Sequence, residues 1–268
     1  AVLDGKLYLE FLKKQCTSEK LRAMKKKQLI FLPVLFCVTQ FSNAQFILKG
    51  KIEFEKTVNV YKQMDMGDDG WAATFKKQTP EYKHSYFNLV FAEGKTLYSP
   101  GRESNEKPTP FGEGPATANI VYSDFGNQKT VAAKQVFDES FLIQDSLRKY
   151  QWHITKDTRK IAGFECKRAF TVIMDSIFVV AFYTDEIVAT GGPESFQGLP
   201  GMILGVVIPR MYTNWYATKV ELEQVKEAGI APPKKGKTTD YSGMEKTIQQ
   251  SLKRWGKWGT KYIWQIMI

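Results

Sequence analysis

Cys166 and His153 are the residues of this chain that could supply a nucleophile, because a thiol beside an imidazole can be held as a reactive thiolate. They fall on successive β-rich segments, 150–155 and 163–174, in a hairpin turning near Arg159. Side-chain alternation separates them. Phe164, Cys166, Phe170, Val172 and Met174 share one apolar face, while Trp152 and Ile154 mark the apolar face of the preceding segment. Aligning those faces turns His153 away, so Cys166 reads as a buried core cysteine. Asp65, Asp68 and Asp69 around Gly67 and Gly70 offer oxygen ligands to calcium, but the spacing is not that of an EF-hand loop and lacks its distal glutamate. A turn with Asp69 as a helix cap accounts for the same residues. Asp185 and Glu186 are adjacent on a strand and point to opposite faces, which keeps them out of one acid–base site. Ser195 lacks the glycines of a nucleophile elbow and reads as a loop residue. With His84 and His153 as the two histidines, a zinc site is undersupplied. No catalytic, metal or cofactor-binding residue is assigned, and no cofactor is expected.

The segments that position these residues are short and β-rich. Residues 46–61, 82–91, 96–98, 131–137, 150–155, 163–174, 177–183, 202–208 and 212–223 read as strands separated by brief polar turns, which implies antiparallel neighbours. The uninterrupted apolar run 202–208 reads as a strand covered on both faces. Residues 71–77 read as a short helix. Ser242 and Glu245 read as the capping box of a helix that places Met244, Ile248, Leu252 and Trp255 on one face. The expected fold is mainly β: one large curved antiparallel sheet, half-barrel-like or an open sandwich, with few helices, one of them near the C-terminus.

Met24, followed by Lys25, Lys26 and Lys27, the apolar run 29–38 and then Ser42-Asn43-Ala44, has the three-part layout of a secretory signal peptide. Cleavage is expected between Ala44 and Gln45. The organisation that follows is an upstream non-native or disordered extension over 1–23, a signal peptide over 24–44, a β-rich domain over 45–231, and a basic linker, helix and tail over 232–268. Residues 1–44 carry eight Lys/Arg against three Asp/Glu, leaving 30 against 25 beyond them, with the whole excess in residues 219–268. A neutral body offers no clustered basic footprint for nucleic acid. In the tail, Trp255, Trp258, Tyr262 and Trp264 alternate with Lys253, Arg254, Lys257 and Lys261, a pattern suited to contact with a membrane surface. The alternative is that residues 258–268 are not native sequence.

Gly198-Leu199-Pro200-Gly201 has a local explanation as a type II turn before the apolar strand, with proline at its second position and glycine at its third. Taken with 183–187, Gly192-Pro193 and Met202-Ile203-Leu204, and with the segments 51–55, 161–169 and 232–237, it resembles the GLPGLI family of exported bacterial envelope proteins. Met202 departs from the leucine usual in that family. The resemblance implies a signal-bearing β-rich protein of the Gram-negative envelope, in the periplasm or on the outer-membrane or extracellular side, and brings no established activity with it. On this reading the chain binds a hydrophobic ligand or an envelope protein without catalysis, because no convergent polar triad is visible. A carboxylate-dependent hydrolase and an assembly accessory of an outer-membrane system are the alternatives.

Overall fold

A computed structural model of the protein describes residues 10, 47–63, 70–106, 117–136, 138–222 and 229–268. The chain divides into two units, Ala1–Gln45 and Phe46–Ile268, and the second contains the sheet. The signal segment with its Ala44–Gln45 cleavage site lies outside the described residues, as do Asp65, Asp68 and Asp69.

Twelve strands form one sheet: β1 (Gly50–Asn59), β2 (Tyr82–Ala92), β3 (Lys95–Pro100), β4 (Ile120–Asp124), β5 (Lys129–Val136), β6 (Glu139–Ser146), β7 (His153–Ile161), β8 (Phe164–Ile173), β9 (Ile177–Thr184), β10 (Met202–Ile208), β11 (Thr213–Glu221) and β12 (Lys237–Thr239). Their spatial order is β12-β6-β5-β4-β3-β2-β1-β11-β10-β9-β8-β7. Every pairing is antiparallel except that of β12 with β6. Two meanders therefore flank a central β1, and the sheet is open, with edges at β7 and β12. The expected mainly β, open antiparallel fold is the one observed.

Chain connectivity forces this sheet to curve. β6 and β7 stand ten strand-to-strand steps apart, which would be about 48 Å in a flat sheet at ~4.8 Å per step. Yet Ser146 and His153 are joined through residues 147–152 alone, a span of at most about 25 Å at ~3.5 Å per residue. The two flanks must bend toward each other, giving the sheet an inner and an outer face. The inner face is the core: Ile52 and Phe54 of β1, Phe87 and Leu89 of β2, Tyr98 of β3, Ile143 of β6, Cys166 of β8 and Trp215 of β11 belong to one buried cluster.

The helices are α1 (Val60–Gln63), α2 (Gly70–Gln78), α3 (Tyr241–Leu252) and α4 (Gly256–Met267). Tyr241, Met244, Ile248 and Leu252 recur at helical spacing and join the same core cluster, so α3 lays its apolar stripe into the bowl. Its N-cap is Asp240, whose side chain accepts from the Gly243 amide at 2.7 Å. The expected Ser242 cap is thus displaced by two residues, because the aspartate reaches the orphan amide first. A single-turn 3₁₀ segment, Lys253–Trp255, separates α3 from α4, and Trp255 is exposed there rather than continuing the buried stripe. The end of α4 dives back inward, burying Ile266, Met267 and Ile268. Among the described residues no helix is long and apolar enough to cross a membrane.

Three local expectations differ from what the chain adopts. The Leu199–Gly201 turn closes a tighter ring than type II, with the Gly201 amide donating to the Leu199 carbonyl at 2.9 Å, a γ-turn centred on Pro200. Residues 120–124, 139–146 and 237–239 form strands absent from the expected set. On β8, the buried residues beyond Cys166 are Ala169 and Thr171, while Val172 and Met174 are exposed. A register shift in β7 between Ile154 and Thr158 breaks the strict alternation that placed Phe170, Val172 and Met174 with Cys166.

Candidate functional site

The inner face is not uniformly apolar. Lys56 follows Ile52 and Phe54 on the inward parity of β1 and is 7% exposed; Lys134 stands between Ala132 and Val136 on β5 and is 2% exposed. Opposite them, the 185–201 connection between β9 and β10 folds into the bowl, anchored by buried Ile187, Phe196 and Leu199, and carries Glu194 with it. Glu194 is buried at φ 54°, a left-handed conformation that costs a non-glycine residue about 1–3 kcal/mol. Strain and a buried carboxylate at one position mark it as a place where the fold is held in an expensive arrangement.

Hydrogen bonds fix that arrangement from several elements. Asn119 Nδ2 donates to Glu194 Oε2 at 2.9 Å. Ser195 Oγ lies 3.0 Å from the Tyr150 hydroxyl and donates to the Ile268 main-chain oxygen at 3.1 Å. Trp152 Nε1 donates to the Gln197 carbonyl at 2.9 Å, and Gln197 Nε2 donates to the Arg148 carbonyl. Residues 147–152, the strap that bends the sheet, therefore also hold the Glu194 loop. Lys134 Nζ donates to the Ile266 carbonyl at 3.0 Å. Aromatic rings surround the cations: Lys56 Nζ is 5.1 Å from the Trp215 ring, and Arg148 lies over Tyr241 at 3.8 Å. Tyr98 stacks on Phe87 at 4.8 Å, and its buried hydroxyl has Trp215 and Glu194 as electrostatic neighbours without a formed hydrogen bond.

Burial sets the protonation chemistry. Removal from water pulls the Lys134 ammonium down to about 7, against the opposing attraction of Glu194. Lys56 is lowered for the same reason, with Glu194 again opposing. Burial also pushes the Tyr98 phenol well above its ordinary range and Tyr241 up to about 12. The cluster thus brings Glu194 together with two lysines whose charged form burial disfavours and two phenols whose proton loss burial opposes.

The residues singled out from sequence are dispersed around this site. Cys166 is fully buried, its thiol pushed up to about 11 chiefly by burial. His153 pairs with Phe170 and stacks on it at 5.2 Å, four residues along the strand from Cys166, about 13 Å at 3.3 Å per residue. The two form no catalytic pair. Asp185 is ion-paired with Lys167 on the surface, while Glu186 Oε1 accepts from the Glu165 amide. Ser195 is a loop residue, as read, but a buried one. In the tail, Trp264 lies under Arg210 at 4.5 Å, and Trp255 meets Tyr262 edge-on at 5.7 Å. Among the described residues, no group of three or more His, Cys, Asp or Glu side chains could hold a metal. Of Gly198, Leu199, Pro200 and Gly201, the last has the least room: an added Cβ at Gly201 would sit 2.0 Å from the Thr184 carbonyl oxygen.

Sequence reasoning missed Lys56, Lys134 and Glu194. A signal for the lysines was present, since each stands on the apolar parity of its strand. Glu194 had none, because its inward position follows from the path of a long loop.

The family model that matches describes an "N-glycanase peptide, N-terminal domain" and covers residues 111–243, just under half of the chain. No curated protein matches the sequence significantly. Two solved crystal forms of PNGF-II are similar in structure: one in space group P21 at 16% identity and one in C2 at 17%, each with a TM-score of 0.50 over 76% of this chain. The chain spans about a third of the length of those structures, 34% and 33% respectively. These findings correct the resemblance to the GLPGLI family. The four residues Gly198 to Gly201 answer to a tight turn and a close backbone approach, demands that many folds share, and they lie inside the N-glycanase match. The expected non-catalytic binding of a hydrophobic ligand or protein partner is overturned with it, for it rested on the absence of convergent polar groups, and Lys56, Lys134 and Glu194 do converge. At this level of identity the chain shares the fold of part of PNGF-II, and its residues 111–243 are similar to the N-terminal domain of an N-glycanase.

Proposed function

We propose that the chain takes part in the hydrolysis of N-glycans from glycoprotein substrates, with the inner-face cluster as its chemically active part. The observation that carries this reading is an overlap: the matched segment 111–243 contains Asn119, Lys134, Glu194 and Ser195. Hydrolysis by general acid–base catalysis needs a positioned carboxylate and a second group that exchanges protons near neutral pH. Glu194 offers the first, and Lys134, drawn down to about 7 by burial, offers the second. Because the chain spans a third of PNGF-II, the activity is assigned to the protein as a whole. The test is to incubate the protein with a denatured N-glycosylated glycoprotein and follow free glycan and protein mass. Stepwise loss of glycan mass is expected, and a glycoprotein unchanged after prolonged incubation would refute the reading.

Export belongs to the same proposal, through the signal layout over 24–44. N-terminal sequencing should find Gln45 first, and a secreted form that retained residues 29–38 would count against it.

A further inference from the structure

Among the described residues, the Tyr98 hydroxyl, Trp215 Nε1 and Glu194 Oε1 are buried polar atoms without a hydrogen-bond partner. They come from β3, β11 and the 185–201 connection, yet they share one neighbourhood, since Trp215 and Glu194 both act electrostatically on the Tyr98 hydroxyl. The three residues are 0%, 2% and 3% exposed, in that order, so bulk solvent does not serve them. An orphaned polar atom at that depth is rare, because the loss of its hydration goes uncompensated until a partner meets it. Three in one place call for a common partner.

The side chains do not close on one another, for each is anchored elsewhere. Tyr98 stacks on Phe87 at 4.8 Å, and the Trp215 ring carries Lys56 Nζ at 5.1 Å. Glu194 is held by its left-handed backbone and by Asn119, which donates to Oε2 at 2.9 Å and leaves Oε1 to the interior. The donor set then selects the ligand. An indole N–H only donates, an ionised carboxylate oxygen only accepts, and a phenol does either. The indole turns away a cation, and the carboxylate turns away an anion. A small neutral molecule that both accepts and donates satisfies all three, and a buried water does so with its usual complement of about three hydrogen bonds.

We propose that Tyr98, Trp215 and Glu194 form a binding site for one buried water molecule, which accepts from Trp215 Nε1 and donates to Glu194 Oε1, with the Tyr98 hydroxyl as its third partner. Asn119 holds one oxygen of the carboxylate and the water holds the other, so the orientation of the group is fixed from both sides. The site follows from burial and donor chemistry and does not depend on the N-glycan reading.

The test is a crystal structure of the unsubstituted protein at a resolution that places individual waters, joined to NMR in solution. One density peak is expected about 2.7–3.2 Å from each of Tyr98 Oη, Trp215 Nε1 and Glu194 Oε1. The Trp215 indole proton, identified by the loss of its resonance in Trp215→Phe, should show cross-relaxation with water of opposite sign in NOE and ROE experiments, the mark of a held water. Direct hydrogen bonds among the three side chains, no density shared by them, or a peak at the about 2.3–2.6 Å of a calcium ion would each overturn the proposal. A Trp215 proton without contact to a held water would overturn it equally, whether or not glycan release is observed.

Discussion

Gly201 is where backbone geometry constrains this sheet most sharply. Two independent penalties meet there. Its φ of 134° lies in a region that L side chains rarely adopt, which costs about 1–3 kcal/mol for any other residue. An added Cβ would also stand 2.0 Å from the Thr184 oxygen, 2.8 Å from the Thr184 carbonyl carbon and 3.1 Å from the Asp185 Cα. Those are backbone atoms at the β9–β10 pairing, where Thr184 faces Met202, so no rotamer change relieves the contact. Gly198 is the natural control: its φ is 91°, but an added Cβ would meet nothing closer than Trp152 Nε1 at 3.8 Å. Gly198→Ala should therefore cost the conformational penalty alone, about 1–2 kcal/mol. Gly201→Ala should cost more than about 3 kcal/mol, and Gly201→Val at least as much. For a domain of this size each kcal/mol lowers the melting temperature by roughly 2–4 °C. Thermal denaturation should thus show a drop of roughly 6–12 °C or more for Gly201→Ala, and about half of that or less for Gly198→Ala. Equal melting temperatures for the two alanine variants would refute the close approach at Gly201.

Other expected outcomes follow from the same structure. An unfolded lysine holds its proton up to about 10.5, while folded Lys134 releases it near 7, so the unfolded state binds more protons between these values and stability rises with pH there. Between pH 7 and 9 the Lys134 contribution should grow by at most about 2 kcal/mol, and denaturant titrations of Lys134→Met should lack that increment relative to the unsubstituted protein; parallel curves would count against a buried ammonium. Asp240→Ala should cost about 1 kcal/mol of stability and Ser242→Ala much less, with the reverse order pointing to a cap at Ser242. Cys166 should resist alkylation in the native protein and react only on unfolding, a contrast that peptide mapping after timed labelling would expose.

Much of the sheet is legible in the sequence because a half-buried strand writes its two faces into alternate residues. The run at 202–208 coincides with β10, and its continuous apolarity is explained by the outer cover of Tyr216 and Ile161 against Gly205. β4 and β6 escape notice for a physical reason: β4 has five residues with three consecutive buried positions, and β6 begins and ends in exposed polar residues, so neither shows a clean period of two. β12 is three residues long and is held by pairing with β6 rather than by any apolar pattern of its own. The site is harder to see. Lys56 and Lys134 carry the apolar parity of their strands, yet a charged residue reads by default as solvent-facing. Their burial becomes apparent only once the 147–152 strap bends the sheet and carries the Glu194 loop inward to face them.

The most direct measurement compares rates of glycan release from an N-glycosylated glycopeptide for the unsubstituted protein, Glu194→Gln, Lys134→Met and the outer-surface variant Lys167→Ala, each shown by its melting temperature to be folded. The account expects release by the unsubstituted protein, a loss of about 10²-fold or more for the two inner-face variants, in keeping with general acid–base groups, and an unchanged rate for Lys167→Ala. Release that is indifferent to both inner-face substitutions, or no release by the unsubstituted protein, would contradict it.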